Sequence, residues 1–312
     1  MDPITHGMVG LAIATISGEP ILGAVSLGTT LGAMAPDLDI VMQSKGHYAY
    51  LKNHRGMSHS LPFLAGIAGI ISTVIHFIFP ATAFGQILLW TFMGTLSHTL
   101  LDILNSYGAQ IFWPLSKKRF SGSLLLVYDP MVIILSLYLI FSKEPKTLLS
   151  MKVGLIFVIY LFIRIIMKNR IYDKIIDKFG KDIHIMRVNL LPSMIGMHKW
   201  HFIIDSQEKS IVGEINIFNN KLKILKELEK KEIPFMDEIT NSAIGKFFQS
   251  FTPIYHIDIQ KKNGYYYVTF TDLRYFIKDD FLHHATAILS GELELLEGLF
   301  HPYSLNQSVS VI

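Results

Sequence analysis

Apolar residues fill the first half of the chain in blocks, at roughly residues 8–16, 21–35, 60–79, 84–104, 124–141 and 151–167. The last four are about as long as the ~20 residues a helix needs to cross the hydrocarbon core. The first two are too short to span singly and are separated by "SGEP" at residues 17–20, so they read as a helical hairpin that enters and returns, or as one kinked span over 7–35. After about residue 180 the pattern changes to short alternating runs, such as "HIMRVNLL", "KWHFIID" and "SIVGEINIF". Asn263-Gly264, between two β-rich runs, is a strong hairpin signal, and Ser290-Gly291 is a weaker one. Residues 219–231 and about 237–249 carry the spacing of amphipathic helices, the first with leucines at 222, 225 and 228.

The pattern predicts a multi-pass α-helical membrane domain, a helical bundle over residues 1–180, followed by a soluble α+β domain with an antiparallel sheet over 181–312. Composition agrees: half of the 312 residues are hydrophobic, 17% are charged, and the mean hydropathy is +0.38. With the hairpin, the loops 36–59 and 105–123 and the segment 168–182 share one side and carry eleven Lys and Arg, against Lys143 and Lys146 opposite. That asymmetry places the crowded side, and the second domain, in the cytoplasm of a plasma or inner membrane protein. Arg164 and Lys152, near the ends of the last apolar block, are expected to snorkel. The N-terminus has no basic region ahead of its apolar residues, so no cleaved signal peptide is expected.

Charge and cysteine narrow the chemistry. A formal charge of +3 is too small to argue for nucleic acid, and none is expected as a partner. The chain has no cysteine, which excludes disulfides and thiolate metal sites. Four stretches of the membrane half nevertheless carry oxygen and nitrogen ligands: His6 in "THG", Asp37 and Asp39 in "APDLDI", His54 and His59 in "HRGMSHS", and His98 with Asp102 in "GTLSHTLLD". Each lies at the cytoplasmic end of an apolar block.

His98 and Asp102 are four apart and must project from one face of a helix. Ionisable groups inside a membrane helix need a compensating partner. A divalent cation is such a partner for imidazole and carboxylate together, and donors without sulfur suit zinc, manganese or iron. Gly56 is expected to supply the turn that aims His54 and His59 inward, and Arg55 between them suits a phosphate oxygen.

These stretches, with "GTLSHTLLDILNSYG" and "FWPL", resemble the YdjM-type membrane-bound metal-dependent hydrolases over residues 1 to about 170, and the two-part chain resembles their YfhP-like branch. The resemblance implies a helical fold related to zinc-dependent phospholipases C and single-strand-specific zinc nucleases, which cleave phosphoesters. It marks His6, Asp37, Asp39, His54, His59, His98 and Asp102 as the ligand set, with Asp129 in "VYDP" as an additional candidate. The further histidines and glutamate of the soluble relatives have no counterpart here, which implies one or two ions. On this reading a metal-activated water attacks phosphorus, Asp39 or Asp129 is the general base, and Arg55 holds the phosphate.

A site at the membrane surface implies a lipid or lipid-like phosphoester as substrate. The rival expectation is a non-enzymatic scaffold or regulatory protein, stabilised by its metal and acting through the C-terminal domain, for which the sequence names no partner. His198 and His201 fall on opposite faces of a strand and make a poor metal pair.

Overall fold

The computed structural model describes residues 1–45, 55–194, 196–231, 235–277, 279–302 and 308–310. It divides into two compact units, Met1–Ile40 with Asn53–Asn169, and Val41–Lys52 with Arg170–Ile312.

The first unit is helical: α1 (Pro3–Ala14), α2 (Ala24–Met34), α3 (Leu61–Ile78), α4 (Phe84–Leu104), α5 (Pro130–Phe141) and the start of α6 (Lys146–Phe179). Of these, α3, α4 and α6 are long and apolar enough to cross a membrane. Their outward residues, such as Phe77, Leu155 and Phe162, are apolar and exposed, as lipid contact requires.

The first two helices form the hairpin. Asp2 caps α1 by accepting from the Ile4 and Thr5 amides, each at 3.0 Å, with Pro3 in the first turn where its missing N–H costs nothing. The chain reverses at Gly18, φ +78°, and α2 returns along α1. Close approach requires glycine on both sides of α2: a side chain at Gly10 of α1 or Gly94 of α4 would collide with the Thr29 carbonyl. Three backbones at this separation bring the N-terminal turn of α1, the end of α2 and the last turns of α4 to one place.

Two expectations fail here. The block 124–141 is not one span: the helix begins only at Pro130, because Asp129 caps it, and Leu124 and Leu125 instead donate to the Leu104 carbonyl at 2.8 and 3.0 Å. Nor does Arg164 snorkel. It is buried, with Nε donating to the Leu124 carbonyl at 2.8 Å, and Lys168 donates to the Gly122 carbonyl at 2.8 Å, so both tie down the segment before α5.

The second unit is α+β. Strands β1 (Ile185–Pro192), β2 (Lys199–Ser206), β3 (Lys209–Asn216) and β4 (Leu222–Glu229) form an antiparallel meander. A second antiparallel sheet uses β5 (Tyr255–Lys262), β6 (Tyr265–Asp272), β9 (His283–Leu289), β10 (Leu295–Pro302) and β11 (Val309–Ser310), in the order β11-β10-β9-β6-β5. Two short strands, β7 (Phe276–Ile277) and β8 (Asp280–Phe281), pair with each other.

Helices α7 (Met236–Asn241) and α8 (Ala243–Phe251) cover the larger sheet, setting Ile244, Phe247 and Phe248 against Val268, Phe270 and Phe300. The hairpin at Asn263-Gly264 forms as expected, with φ positive at both residues.

The expected helix over 219–231 is strand β4. Its partner β3 supplies the hydrogen bonds, and the register slips between Val212 and Gly213, which leaves Leu225 unpaired as a bulge. The bulge keeps Leu222, Leu225 and Leu228 half-buried at a spacing of three, so the strand imitates the helical signature.

Candidate metal centre

His6 projects from the first turn of α1, Asp37 from the 3-10 segment Ala35–Lys45 after α2, His59 from the turn Met57–His59 before α3, and His98 and Asp102 from α4. His6, His59, His98 and Asp102 are completely buried, and the Asp37 side chain is 11% exposed.

The groups behind each ring fix its tautomer. His98 Nδ1 lies 2.6 Å from the Ala33 carbonyl, which can only accept, so Nδ1 carries a proton and Nε2 is the ring atom left to a ligand. Ser58 Oγ donates to Asp39 Oδ2 at 3.2 Å and stands 2.9 Å from His59 Nδ1. Its one proton being used, Ser58 must accept from His59 Nδ1, and His59 Nε2 is likewise left to a ligand. Burial pushes the His59 pKa down to about 4, which keeps the ring neutral. Thr99 Oγ1, donating to the His59 carbonyl at 3.2 Å, ties this turn to α4.

The two Nε2 atoms face each other at 3.1 Å. Asp102 Oδ2 lies 3.3 Å from His59 Nε2 and 3.7 Å from His98 Nε2, and Asp37 Oδ1 lies 3.8 and 3.5 Å from the same atoms. A tetrahedral ion with ligand bonds of about 2.0–2.1 Å sets its ligand atoms roughly 3.4 Å apart. Spacings of 3.1–3.8 Å bracket that value, and the donor set of two imidazoles and two carboxylates is one that a divalent cation takes. Among the described residues, Asp37, His59, His98 and Asp102 are the group able to hold an ion.

Around this group lie further atoms that have no hydrogen-bond partner among the described residues. The His6 ring stacks on His98, centroids 3.6 Å apart, with Nε2 3.3 Å from Asp102 Oδ1, and neither of its nitrogens has a hydrogen-bond partner. The Met1 amino group also contacts Asp102 Oδ1. Arg55 is buried with Nε 3.1 Å from Asp102 Oδ2, its guanidinium 4.9 Å from the Tyr107 ring centroid, and Nη1 unpartnered. The left-handed residue of this loop is Arg55, φ +58°, and not Gly56, φ −92°.

Of the residues singled out from sequence, His6, Asp37, His59, His98 and Asp102 converge, and Arg55 joins them. Asp39 stands behind His59, engaged by the Ser58 hydroxyl and by the Arg55 amide at 3.1 Å. Asp129 is not brought to this group. Its carboxylate accepts from the amides of Met131, Val132 and Leu126 and from the Tyr160 hydroxyl at 2.9 Å, so the α5 cap accounts for it. His54 lies outside the described residues. Sequence reasoning passed over Ser58 and the Ala33 carbonyl, and only the hydroxyl beside His59 in "GMSHS" hinted at the first.

The comparisons agree with this architecture. The model of the YfhP C-terminal alpha/beta plait domain matches residues 234–309. The uncharacterized protein YfhP of Bacillus subtilis (strain 168) is 29% identical over 290 residues, covering 88% of this chain and 87% of its own. No solved structure matches. The model of the YdjM inner membrane protein family matches residues 1–171, which carry the whole Asp/His cluster, and the chain belongs to that family.

Proposed function

We propose that this membrane protein is a metal-dependent phosphoesterase acting at the cytoplasmic membrane surface on a lipid-like substrate. The observation that carries the reading is the convergence of two imidazole Nε2 atoms, each oriented by a partner on its Nδ1, on the buried Asp102 and the half-buried Asp37. Uncompensated, that arrangement is costly; a cation at its centre makes it favourable. A divalent ion, zinc by the donor set, would supply Lewis acidity there, lowering the proton affinity of a water and polarising a phosphoester.

The chain's own residues divide the remaining work. Asp37, His59, His98 and Asp102 hold the ion. The two oxygens of Asp102 face different partners, Oδ2 the His59 and His98 side and Oδ1 the side of His6 and the Met1 amino group, and His6 would be the residue available to a second ion. Arg55, whose Nη1 has no hydrogen-bond partner among the described residues, is placed to donate to a phosphate oxygen. Asp39 orients His59 through Ser58 and is a positioning residue. The kinship with zinc phospholipases C and zinc nucleases belongs to this proposal, as does the cytoplasmic side drawn from the Lys and Arg asymmetry.

One observation favours a second reading. Four protein donors lie within 4.8 Å of one another, enough in number to fill a four-coordinate ion, and closed sites are structural more often than catalytic. A scaffold or regulatory protein acting through its C-terminal unit would have such a site. Metal analysis of the purified full-length protein beside His98→Ala and Asp102→Ala tests the site: one to two equivalents in the wild type and loss in both variants are expected. Equal content in all three removes it. Turnover of phosphomonoester and phosphodiester lipids by metal-loaded protein then supports the enzyme, and bound metal with no turnover supports the scaffold.

A further inference from the structure

A cavity of about 300 Å³ lies between α1, α4, α5 and α6, at the lower end of the ~300–1,000 Å³ of small-molecule sites. Its wall starts on α1 at Val9, one turn beyond His6, and ends at Ile16 in the 3-10 turn that follows α1, roughly 10 Å further on at about 1.5 Å per residue. On α4 it takes in Leu101, adjacent to Asp102, and Leu104; Leu139 and Phe157 close it from α5 and α6.

The cavity offers water nothing to bind. The hydroxyls that border it are spent on their own helices: Ser97 donates to Gly94, Ser136 to Val132 and Ser150 to Thr147, at 2.8–2.9 Å. Water needs two to four polar partners, so this space is dry or holds hydrocarbon. One turn before Val9 the character is the opposite: His6, and Arg55 across Asp102 from it, hold nitrogens with no hydrogen-bond partner among the described residues.

We propose that the cavity receives the hydrocarbon chain of the substrate. The ligand is an amphiphile whose phosphoester head rests on the Asp/His cluster and Arg55 while its chain runs along α1 from Val9 toward Ile16. The proposal rests on the phosphoesterase reading for the identity of the head, and its test reads binding, not turnover.

Gly154 lines the cavity and a Cβ there would meet nothing within 4 Å, so Gly154→Phe is the variant chosen to narrow the space. The full-length, metal-loaded protein in phosphatidylcholine nanodiscs is titrated with dodecyl phosphate, ethyl phosphate and dodecyl maltoside. Wild type is expected to bind dodecyl phosphate at least about tenfold more tightly than ethyl phosphate. Gly154→Phe is expected to erase that advantage while ethyl phosphate binding and metal content stay unchanged. A chain-length advantage that survives Gly154→Phe overturns the proposal. So does equal competition by dodecyl maltoside, which would make the cavity a berth for any bilayer chain.

Should Gly154→Phe misfold, wild type labelled with dodecyl phosphate bearing a diazirine near its chain end gives a second reading. Crosslinks on Ile13, Leu139 or Phe157 that excess dodecyl phosphate suppresses support the assignment. Crosslinks spread over the outward faces of α3 and α6 refute it. Failure of phosphoester turnover would leave these results standing, so the two proposals fail separately.

Discussion

His59 and His98 bring their Nε2 atoms to within 3.1 Å of each other, while Nδ1 of each ring meets its own partner, the Ser58 hydroxyl and the Ala33 carbonyl. Asp37 and Asp102 stand alongside; Arg55 and the Met1 amino group already contact Asp102, and a cation among the four donors would add to that compensation. Chelation is therefore expected to lower the thermal stability of the purified protein, and zinc to restore it. A ligand at a hundred times its Kd contributes about 2.7 kcal/mol to a state that alone binds it. A melting temperature indifferent to chelator and to zinc would show that the four donors are compensated otherwise.

The same geometry separates Asp39 from the ligands. Because it acts through Ser58, Asp39→Ala and Ser58→Ala are expected to weaken metal affinity about 10- to 100-fold, as loss of a group behind a metal ligand does, without abolishing binding. Competitive titration against a chromophoric chelator reads this directly. If Asp39→Ala loses metal as completely as Asp102→Ala, Asp39 is itself a ligand.

How much of this was legible in the chain follows from which interactions are local. His98 and Asp102 announced themselves because a helical spacing of four and an apolar setting are both visible in sequence. The roles of Asp39 and Asp129 were not visible, because both are carboxylates after or before a helix and only the donors around them tell a positioning group from a cap. Leu222, Leu225 and Leu228 misled for a related reason: a β-bulge reproduces a spacing of three, and pairing with β3 decides between strand and helix. The Ala33 carbonyl that orients His98 belongs to a residue 65 positions away, and no local pattern encodes it.

Asp129 supplies a control for the metal proposals. Asp129→Ala removes the α5 cap, which costs about 0.5–2 kcal/mol, and leaves the buried Tyr160 hydroxyl without its acceptor, for roughly 1–3 kcal/mol more. Lower thermal stability with unchanged metal affinity is expected. Loss of metal from a folded Asp129→Ala protein would place Asp129 in the site.

The second unit has its own pH response. His283 is 3% exposed, with ring centroids 5.2 Å from Phe251 and 6.2 Å from Phe300. Burial pushes its pKa down to about 4; Asp272 opposes the change, and Arg274 and His284 reinforce it. The unfolded chain takes up this proton near pH 6.5 and the folded one only near pH 4. The folded state is therefore fully favoured above about pH 6.5 and loses stability progressively as the pH falls toward 4, by roughly 3 kcal/mol for this group alone. Buried His201, His256 and His284 are shifted in the same direction and add to the slope. Denaturant unfolding of full-length Trp90→Phe/Trp113→Phe protein, read by Trp200 in β2, should show the midpoint falling across that window, and His283→Leu should flatten part of it. A midpoint that holds or rises between pH 6.5 and 4 would mean that His283 is protonated in the folded unit.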